Sequence, residues 1–239
     1  MPGHFRSPIS KGFTLVELLV AVVIVGALAF LGLNAARDMR DNANLTGCTS
    51  NMRNIGIAMQ MYADDHQGFY PDTTHSQSAD KAWIYQLEAY LGDFDETRIC
   101  PADPRKKERL ANKASSYVLN DAVFAPQIDE LDPENSGAAY NKPSLLPDPA
   151  NTILLFVVAD SKPPYPGEDH THVDYWTSWR GVVSDIAPDR HKRRTSKNFT
   201  KGSSNYLYAD ASVRTYPANE IRKKIESGRN IGAIPGTAP

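Results

Sequence analysis

The chain has 239 residues, with 26 Lys and Arg against 28 Asp and Glu, so its net charge of −2 is close to neutral. This balance does not indicate a nucleic-acid-binding protein by bulk charge. One apolar run stands near the N-terminus, and the roughly 200 residues that follow it are enough for one domain with a core of its own.

The apolar run extends from Phe13 to Leu33 and contains one ionisable residue, Glu17. As a helix, its 21 residues are long enough to cross the hydrocarbon core of a bilayer. Arg6 and Lys11 precede the run, so the positive-inside rule places the leader in the cytoplasm and the rest of the chain outside it. Because a carboxylate is costly inside a bilayer, Glu17 needs a partner.

The residues Gly12-Phe13-Thr14-Leu15-Val16-Glu17 resemble the processing site of type IV prepilins and type II secretion pseudopilins. In that family a prepilin peptidase cuts after the glycine and methylates the new amino terminus. The resemblance implies cleavage between Gly12 and Phe13, N-methylation of Phe13, and a mature chain whose fifth residue is Glu17. The Phe13 amine would then be a cation in the apolar layer, which Glu17 of a neighbouring subunit could neutralise during assembly.

Two other interpretations of the segment stay open. One is a plain anchor helix in which Glu17 lies near the cytoplasmic end and reaches water. The other is a secretory signal with Arg6 and Lys11 as its basic flank and Ala27-Leu28-Ala29 as its cleavage site.

The helix is predicted to continue after the apolar run and to become amphipathic over residues 34–67. Gly68 is placed to end it in a left-handed conformation, and Pro71 would prevent its resumption. Its apolar residues recur at steps of three and four, which predicts a face buried in a core: Leu45, Cys48, Met52, Ile55, Met59 and Tyr62.

The remaining elements are predicted from local patterns. They are a helix over Trp83–Leu91, a turn over Cys100–Pro104, a strand over Ser116–Leu119, a loop over Pro126–Pro149, a strand over Thr152–Ala159 with both faces covered, one or two strands within Val173–Asp185, and a hairpin formed by Tyr206–Ala209 and Val213–Tyr216.

These elements predict an α+β fold with a long N-terminal helix followed by a globular domain that holds an antiparallel sheet. The order of elements is what the pilin resemblance implies for the whole chain. We divide it into a leader (1–12), a transmembrane or filament-core helix (13–33), an amphipathic half (34–67), a globular head (68–226) and a flexible tail (227–239).

Beyond the apolar run, several segments resemble a pseudopilin-like group that is abundant in planctomycete and verrucomicrobial bacteria: Cys48–Gly56, Met61–Ala63, Gly68–Pro71 and Cys100–Pro104. That group usually carries a histidine followed after nine residues by Asp-Gly. Here His191 precedes Asp210 by 19 positions and Ala211 replaces the glycine, so a role specific to that motif is in doubt.

Cys48 and Cys100 would both be exported, and an oxidising compartment permits a disulfide between them. Closing a loop of about 50 residues would stabilise the fold by roughly 4 kcal/mol in the chain-entropy model. Two free, buried thiols are the alternative.

His170, His172 and Asp174 are the candidates for a metal site, because alternate residues of a strand share a face. Their spacing resembles the start of the metallo-β-lactamase zinc signature, but Tyr175 stands where that signature continues with His. Some major pseudopilins bind calcium through a C-terminal loop. The candidates for such a site here are Asp185, Asp189 and Asp210, which lack EF-hand spacing.

A basic segment runs from His191 to Arg194 and continues with Lys197 and Lys201. A solvated loop is the default interpretation. The alternatives are contact with an acidic neighbouring subunit, an anionic polysaccharide or DNA. The sequence contains no Gly-rich phosphate loop and no G-x-S-x-G nucleophile motif, so no enzymatic activity is predicted.

The predicted function is a structural subunit of a type IV pilus-like or type II secretion pseudopilus filament. The implied partners are prepilin peptidase, other pilin or pseudopilin subunits and an inner-membrane assembly platform, with no nucleic acid. The chain would cross the bacterial inner membrane once, with its head in the periplasm. The alternative is a membrane-tethered binding or metal-dependent enzymatic domain that is exported with a prepilin-type signal.

Overall fold

The computed structural model describes residues 12–74, 82–124, 140–192 and 198–237. The chain divides into two compact units, residues 1–40 and 41–239, with the boundary after Arg40. The predicted leader up to residue 11, residues 126–139 of the predicted Pro126–Pro149 loop, and residues 193–197 of the basic segment lie outside the described residues.

Helix α1 (Leu15–Asp65) forms the described part of the first unit together with residues 12–14, and continues into the second. It begins two residues later than the apolar run. At its end the Gly68 N–H donates to the Ala63 carbonyl at 2.8 Å. Gly68 has a φ of +84°, which a residue with a side chain rarely adopts. The predicted left-handed termination at Gly68 is therefore confirmed.

Six further helices and five strands follow in the described residues. They are α2 (Trp83–Gln86), α3 (Phe94–Thr97), α4 (Lys106–Ala111), β1 (Tyr117–Asn120), α5 (Asp121–Phe124), β2 (Ile153–Val157), β3 (His170–Thr171), α6 (Trp179–Asp185), β4 (Ser203–Tyr208), β5 (Val213–Pro217) and α7 (Ala218–Glu226). Short 3-10 turns lie at Glu88–Tyr90, Pro143–Leu145 and Val173–Tyr175.

The five strands form one sheet in the order β3-β1-β2-β4-β5. All neighbouring pairs are antiparallel except β1 and β3, which are parallel. The predicted α+β class with an antiparallel sheet is confirmed. The predicted hairpin is confirmed as β4 and β5, in which Leu207 pairs with Val213.

One face of the sheet packs against the buried side of α1. Tyr117, Leu119 and Leu207 point to this face and share a core with Met52 and Ile55. The approach is closest at Gly56, where an added Cβ would lie 2.9 Å from Leu207 Cδ1. The amphipathic half of the helix thus supplies the predicted core face.

The opposite face of the sheet is covered by α6 and α7. Val118, Phe156 and Tyr206 point to this second core, which includes Val182 and Ile221. Because both faces are covered, every residue of β1 and β2 is buried. This explains the uninterrupted apolar run that predicts β2.

The prediction of strands within Val173–Asp185 is wrong. The segment forms a 3-10 turn and then α6, whose first turn is capped by the Ser178 hydroxyl accepting from the Gly181 N–H at 3.3 Å. Trp176 and Val182 are buried against the sheet instead of extending it. Tertiary packing therefore overrides the strand propensity of Trp and Val.

The C-terminal region is more ordered than predicted. The sequence analysis did not identify α7, which buries Ala218, Ile221 and Ile225 at helical spacing. The tail expected to be flexible packs against the head, because Ile234 is 5% exposed and the Asn120 side chain donates to the Gly232 carbonyl at 2.8 Å.

Candidate functional site

The first candidate site is the surface of the N-terminal unit. All described residues from 12 to 40 are exposed, including large apolar side chains such as Phe13, Val16, Leu19 and Phe30. Within the described residues, α1 is the one helix long and apolar enough to cross a membrane, with a mean hydropathy of 2.7 in its most apolar window. Such a continuous apolar surface exceeds the patches that soluble monomers usually expose.

Glu17 and Thr14 form a reciprocal cap at the start of this helix. Glu17 Oε2 accepts from the Thr14 N–H and from the Thr14 hydroxyl, each at 2.8 Å. The Glu17 N–H donates back to Thr14 Oγ1 at 3.2 Å. This is the capping-box arrangement, and it explains why α1 begins at Leu15. The carboxylate therefore lies beside the positive end of the helix, four residues along the chain from Phe13.

Comparison with known proteins assigns this segment to a recognised class. The family described as "Prokaryotic N-terminal methylation motif" matches residues 9–33, which include Gly12, Phe13 and Glu17. The N-terminal segment is thus of the prepilin type, as its residues predict.

A curated relative is similar to this chain over a longer segment than the motif covers. Over 69 residues the chain is 37% identical to "Type II secretion system core protein G" of Pseudomonas aeruginosa strain PAO1. The match covers 29% of this chain and 48% of the relative, so the chain spans about half the length of the curated protein it matches. No solved structure matches the chain. Together, the motif and the relative support the pilin-like and pseudopilin family.

A second candidate site lies inside the head, where the structure brings Cys48 and Cys100 together with His191. Cys48 comes from α1, Cys100 from the turn after α3, and His191 from the segment that precedes β4. One ligand atom of each lies within 4.8 Å of the others, and Cys100 Sγ lies 3.8 Å from His191 Nε2. All three residues are at most 1% exposed. The structure has no bond between the two cysteines, and the disulfide stays a prediction.

The two thiols have different electrostatic surroundings. Burial and the adjacent Cys48 raise the pKa of the Cys100 thiol well above its usual range. Burial also acts to raise the pKa of Cys48, but hydrogen bonds from Cys100, Tyr117 and Asn205 lower it overall. The Tyr117 hydroxyl donates to Cys48 Sγ at 3.6 Å. Cys48 is thus the thiol that ionises first.

His191 is the functional candidate that sequence reasoning placed wrongly. We expected a solvated basic loop, but the His191 side chain is 1% exposed. Its backbone forms a two-way bridge with Ser203, at 2.8 and 2.9 Å, which holds it beside the first residue of β4. Lys192 and Lys201, within the same segment, are exposed. The signal available was the resemblance to a group with a histidine ahead of the last hairpin.

The strand expected to carry His170, His172 and Asp174 is not formed, although the centroids of the His170 and His172 rings lie 4.9 Å apart, and a metal site on these residues stays a prediction. Strand β3 ends at Thr171, and Asp174 lies in a 3-10 turn, so the three side chains do not alternate along one strand. His170 Nδ1 instead lies 2.7 Å from Asp169 Oδ1, and His172 Nδ1 lies 3.5 Å from Asp121 Oδ2.

Residues 12–74, 82–124, 140–192 and 198–237 contain one group of three or more His, Cys, Asp or Glu whose ligand atoms are close enough to bind a metal. That group is Cys48, Cys100 and His191.

The calcium candidates are engaged in local contacts. Asp185 accepts from Trp176 Nε1 at 2.8 Å and pairs with Lys162 Nζ at 3.2 Å. Asp210 accepts from the Ser212 N–H at 2.9 Å within the hairpin turn, and Asp189 is buried. Calcium binding stays a prediction that this geometry does not strengthen.

Proposed function

We propose that this chain is a structural subunit of a type IV pilus-like or type II secretion pseudopilus filament. The observation that carries the proposal is the fully exposed apolar segment that matches the prepilin-type motif. Its helix starts with a capping box formed by Thr14 and Glu17. The resemblance to a secretion core protein suggests a structural role without catalysis.

The proposal accounts for an apolar surface that water would not tolerate. The segment from Phe13 to Leu33 would span about 30 Å as a helix, which matches the thickness of a hydrocarbon core. Before assembly, lipid would cover this surface in the bacterial inner membrane, with the head in the periplasm. In the filament, the same segments of other subunits would replace lipid, and helix packing would provide the cohesion.

Processing would prepare the segment for assembly. Prepilin peptidase would cut between Gly12 and Phe13 and methylate the amine of Phe13. That amine would be a cation next to the apolar layer, and Glu17 of a neighbouring subunit would pair with it, so that two costly charges neutralise each other. An inner-membrane assembly platform and other pilin or pseudopilin subunits would be the partners.

The first test is intact-mass and N-terminal sequencing of the mature protein from its own host's membranes. We expect an N-methylated Phe13. A chain that starts near Phe30, or one that retains Met1, would contradict prepilin processing and remove the basis of the filament proposal.

The second test addresses assembly. Glu17→Ala is expected to be cleaved normally but to yield few filaments in detergent-free shear fractions. Wild-type amounts of filament from this variant would refute the role given to Glu17. A Gly12 variant that is not cleaved serves as the control for a processing defect.

A further inference from the structure

The buried Cys48, Cys100 and His191 cluster has the donor types of a transition-metal site. Two sulfur atoms and one imidazole nitrogen converge from three segments that are far apart in the chain. Thiolate and imidazole are the ligands that zinc takes in proteins, whereas calcium and magnesium take oxygen. The donor set therefore selects a soft cation.

The spacing of the donor atoms fits tetrahedral coordination. Bonds of about 2.3 Å to sulfur and about 2.0 Å to nitrogen, at tetrahedral angles, place neighbouring ligand atoms roughly 3.5–3.8 Å apart. The observed distance from Cys100 Sγ to His191 Nε2 is 3.8 Å, and all three donor atoms lie within 4.8 Å of one another. Small side-chain rotations would complete the geometry.

A disulfide between the two cysteines would not explain the position of His191. The imidazole is buried, and its Nδ1 has no hydrogen-bond partner among the described residues. Its polar contact is made through Nε2, which faces Cys100 Sγ. Nδ1 stays without a partner in either case, so the difference lies at Nε2: a disulfide sulfur is a weak acceptor for an N–H there, whereas a metal ion would use the Nε2 lone pair directly.

We propose that Cys48, Cys100 and His191 bind one Zn²⁺ ion in the interior of the head. Two thiolates, a neutral imidazole and Zn²⁺ have no net charge, which suits a site that water does not reach. The Tyr117 hydroxyl, whose oxygen lies 3.6 Å from Cys48 Sγ, would donate a hydrogen bond to the coordinated Cys48 thiolate. The ion would fasten α1, the turn over Cys100–Pro104 and the start of β4 to one another, whether or not the chain assembles into filaments.

The test uses the full-length chain purified in detergent without chelators. We expect about one zinc per chain by elemental mass spectrometry. Cys100→Ser and His191→Gln are expected to weaken zinc binding by more than about tenfold in competition with a chromophoric chelator, since even residues behind the ligands have effects of that size. His172→Gln is the matched control, because it removes a histidine of the other candidate set and should retain the metal.

Cobalt substitution keeps the proposal testable if a variant folds poorly. Co²⁺ added to the metal-free wild-type chain should give thiolate-to-cobalt charge-transfer absorption and the intense visible bands of tetrahedral coordination. Alkylation of the denatured, metal-stripped protein without reductant should find two reactive thiols. Three outcomes would each overturn the proposal. They are a Cys48–Cys100 disulfide, two free thiols with no zinc or cobalt bound, and full zinc binding in both Cys100→Ser and His191→Gln.

Discussion

Asp103 and Arg109 form an ion pair that water does not reach: Asp103 Oδ2 lies 2.8 Å from Arg109 Nε, and the two side chains are 0% and 1% exposed. The Ser116 hydroxyl donates to the same carboxylate oxygen at 2.7 Å, and Arg109 also donates to the Ala159 carbonyl. The pair thus ties the turn over Cys100–Pro104 to α4 and to the residues that flank β1 and β2, Ser116 and Ala159.

Asp103→Asn should therefore destabilise the head by about 3–5 kcal/mol, because it leaves a buried guanidinium without its counter-charge. Denaturant unfolding of the full chain in detergent, followed by Trp fluorescence, measures this loss. Glu226→Gln is the matched control: its side chain is 50% exposed and pairs with Arg222, which is itself 36% exposed, so its removal should cost less than about 1 kcal/mol. Equal losses in the two variants would contradict the role of burial.

Glu17→Gln separates the two roles that Glu17 can have. Glutamine can replace glutamate in a capping box, so this variant keeps the bond to Thr14 but loses the charge. We expect normal cleavage, an intact helix start and a filament yield at least about tenfold lower, measured by immunoblotting of shear fractions, since tenfold corresponds to about 1.4 kcal/mol per subunit contact.

Thr14→Val is the complementary variant, because it removes the hydroxyl of the cap and keeps the Glu17 charge. Filament yield near the wild-type level is expected. If Thr14→Val lost as many filaments as Glu17→Gln, capping would be the function of Glu17 and the intermolecular pair would be wrong.

Ala211→Gly should stabilise the head by about 1 kcal/mol. Ala211 has a φ of +61° in the turn between β4 and β5, a conformation that is costly for any residue with a Cβ. Glycine relieves this cost, and it is the residue that the resembling pseudopilin-like group carries at this position. Thermal or denaturant unfolding measures the gain. Ala111→Gly, at the end of α4, should have the opposite sign because it replaces a helical alanine.

The stability of the head should fall at alkaline pH in part through Tyr70. Burial raises the pKa of Tyr70 to about 12, against about 10 in an unfolded chain. Its folded-state pKa is raised, so its contribution is fully present below pH 10 and is lost as the pH rises towards 12, by about 2–3 kcal/mol in total.

Tyr70→Phe removes this ionisation, and with it the hydrogen bond from Gln60 Nε2 to the Tyr70 hydroxyl. The variant should be slightly less stable than the wild type at pH 8, and the difference should shrink or reverse by pH 11. Denaturant midpoints at the two pH values provide the comparison. A difference that stays constant with pH would show that Tyr70 ionises equally in the folded and unfolded states.

The sequence allows the helix, the central strands and the hairpin to be predicted because each has a local cause. The apolar run and Gly68 predict the start and the end of α1. The uninterrupted apolar run of β2 predicts a strand that is buried on both faces of the sheet. The segment Val173–Asp185 misleads because Trp and Val favour strands, while the Ser178 cap and the burial of Val182 against the sheet decide for a helix. That contact depends on the second core, which no local pattern reveals.

The two candidate sites also differ in how far the sequence predicts them. The N-terminal site was predictable because its residues are contiguous, from Gly12 to Glu17. The internal cluster was predictable only in part. An oxidising compartment suggested that Cys48 and Cys100 could pair, but His191 stands among basic residues that indicate solvent exposure. Only the bridge between His191 and Ser203 shows that its side chain turns inward, and such a bridge is a property of the folded sheet.

The contact of Gly56 with Leu207 also constrains the order in which the protein can be made and folded. These residues are 151 positions apart, so the buried face of α1 has no partner in β4 until almost the entire chain has been synthesised. At translation rates of about 5–20 residues per second, that interval is roughly 8–30 s. During this time Met52, Ile55 and Met59 form an uncovered apolar stripe of the kind that chaperones bind.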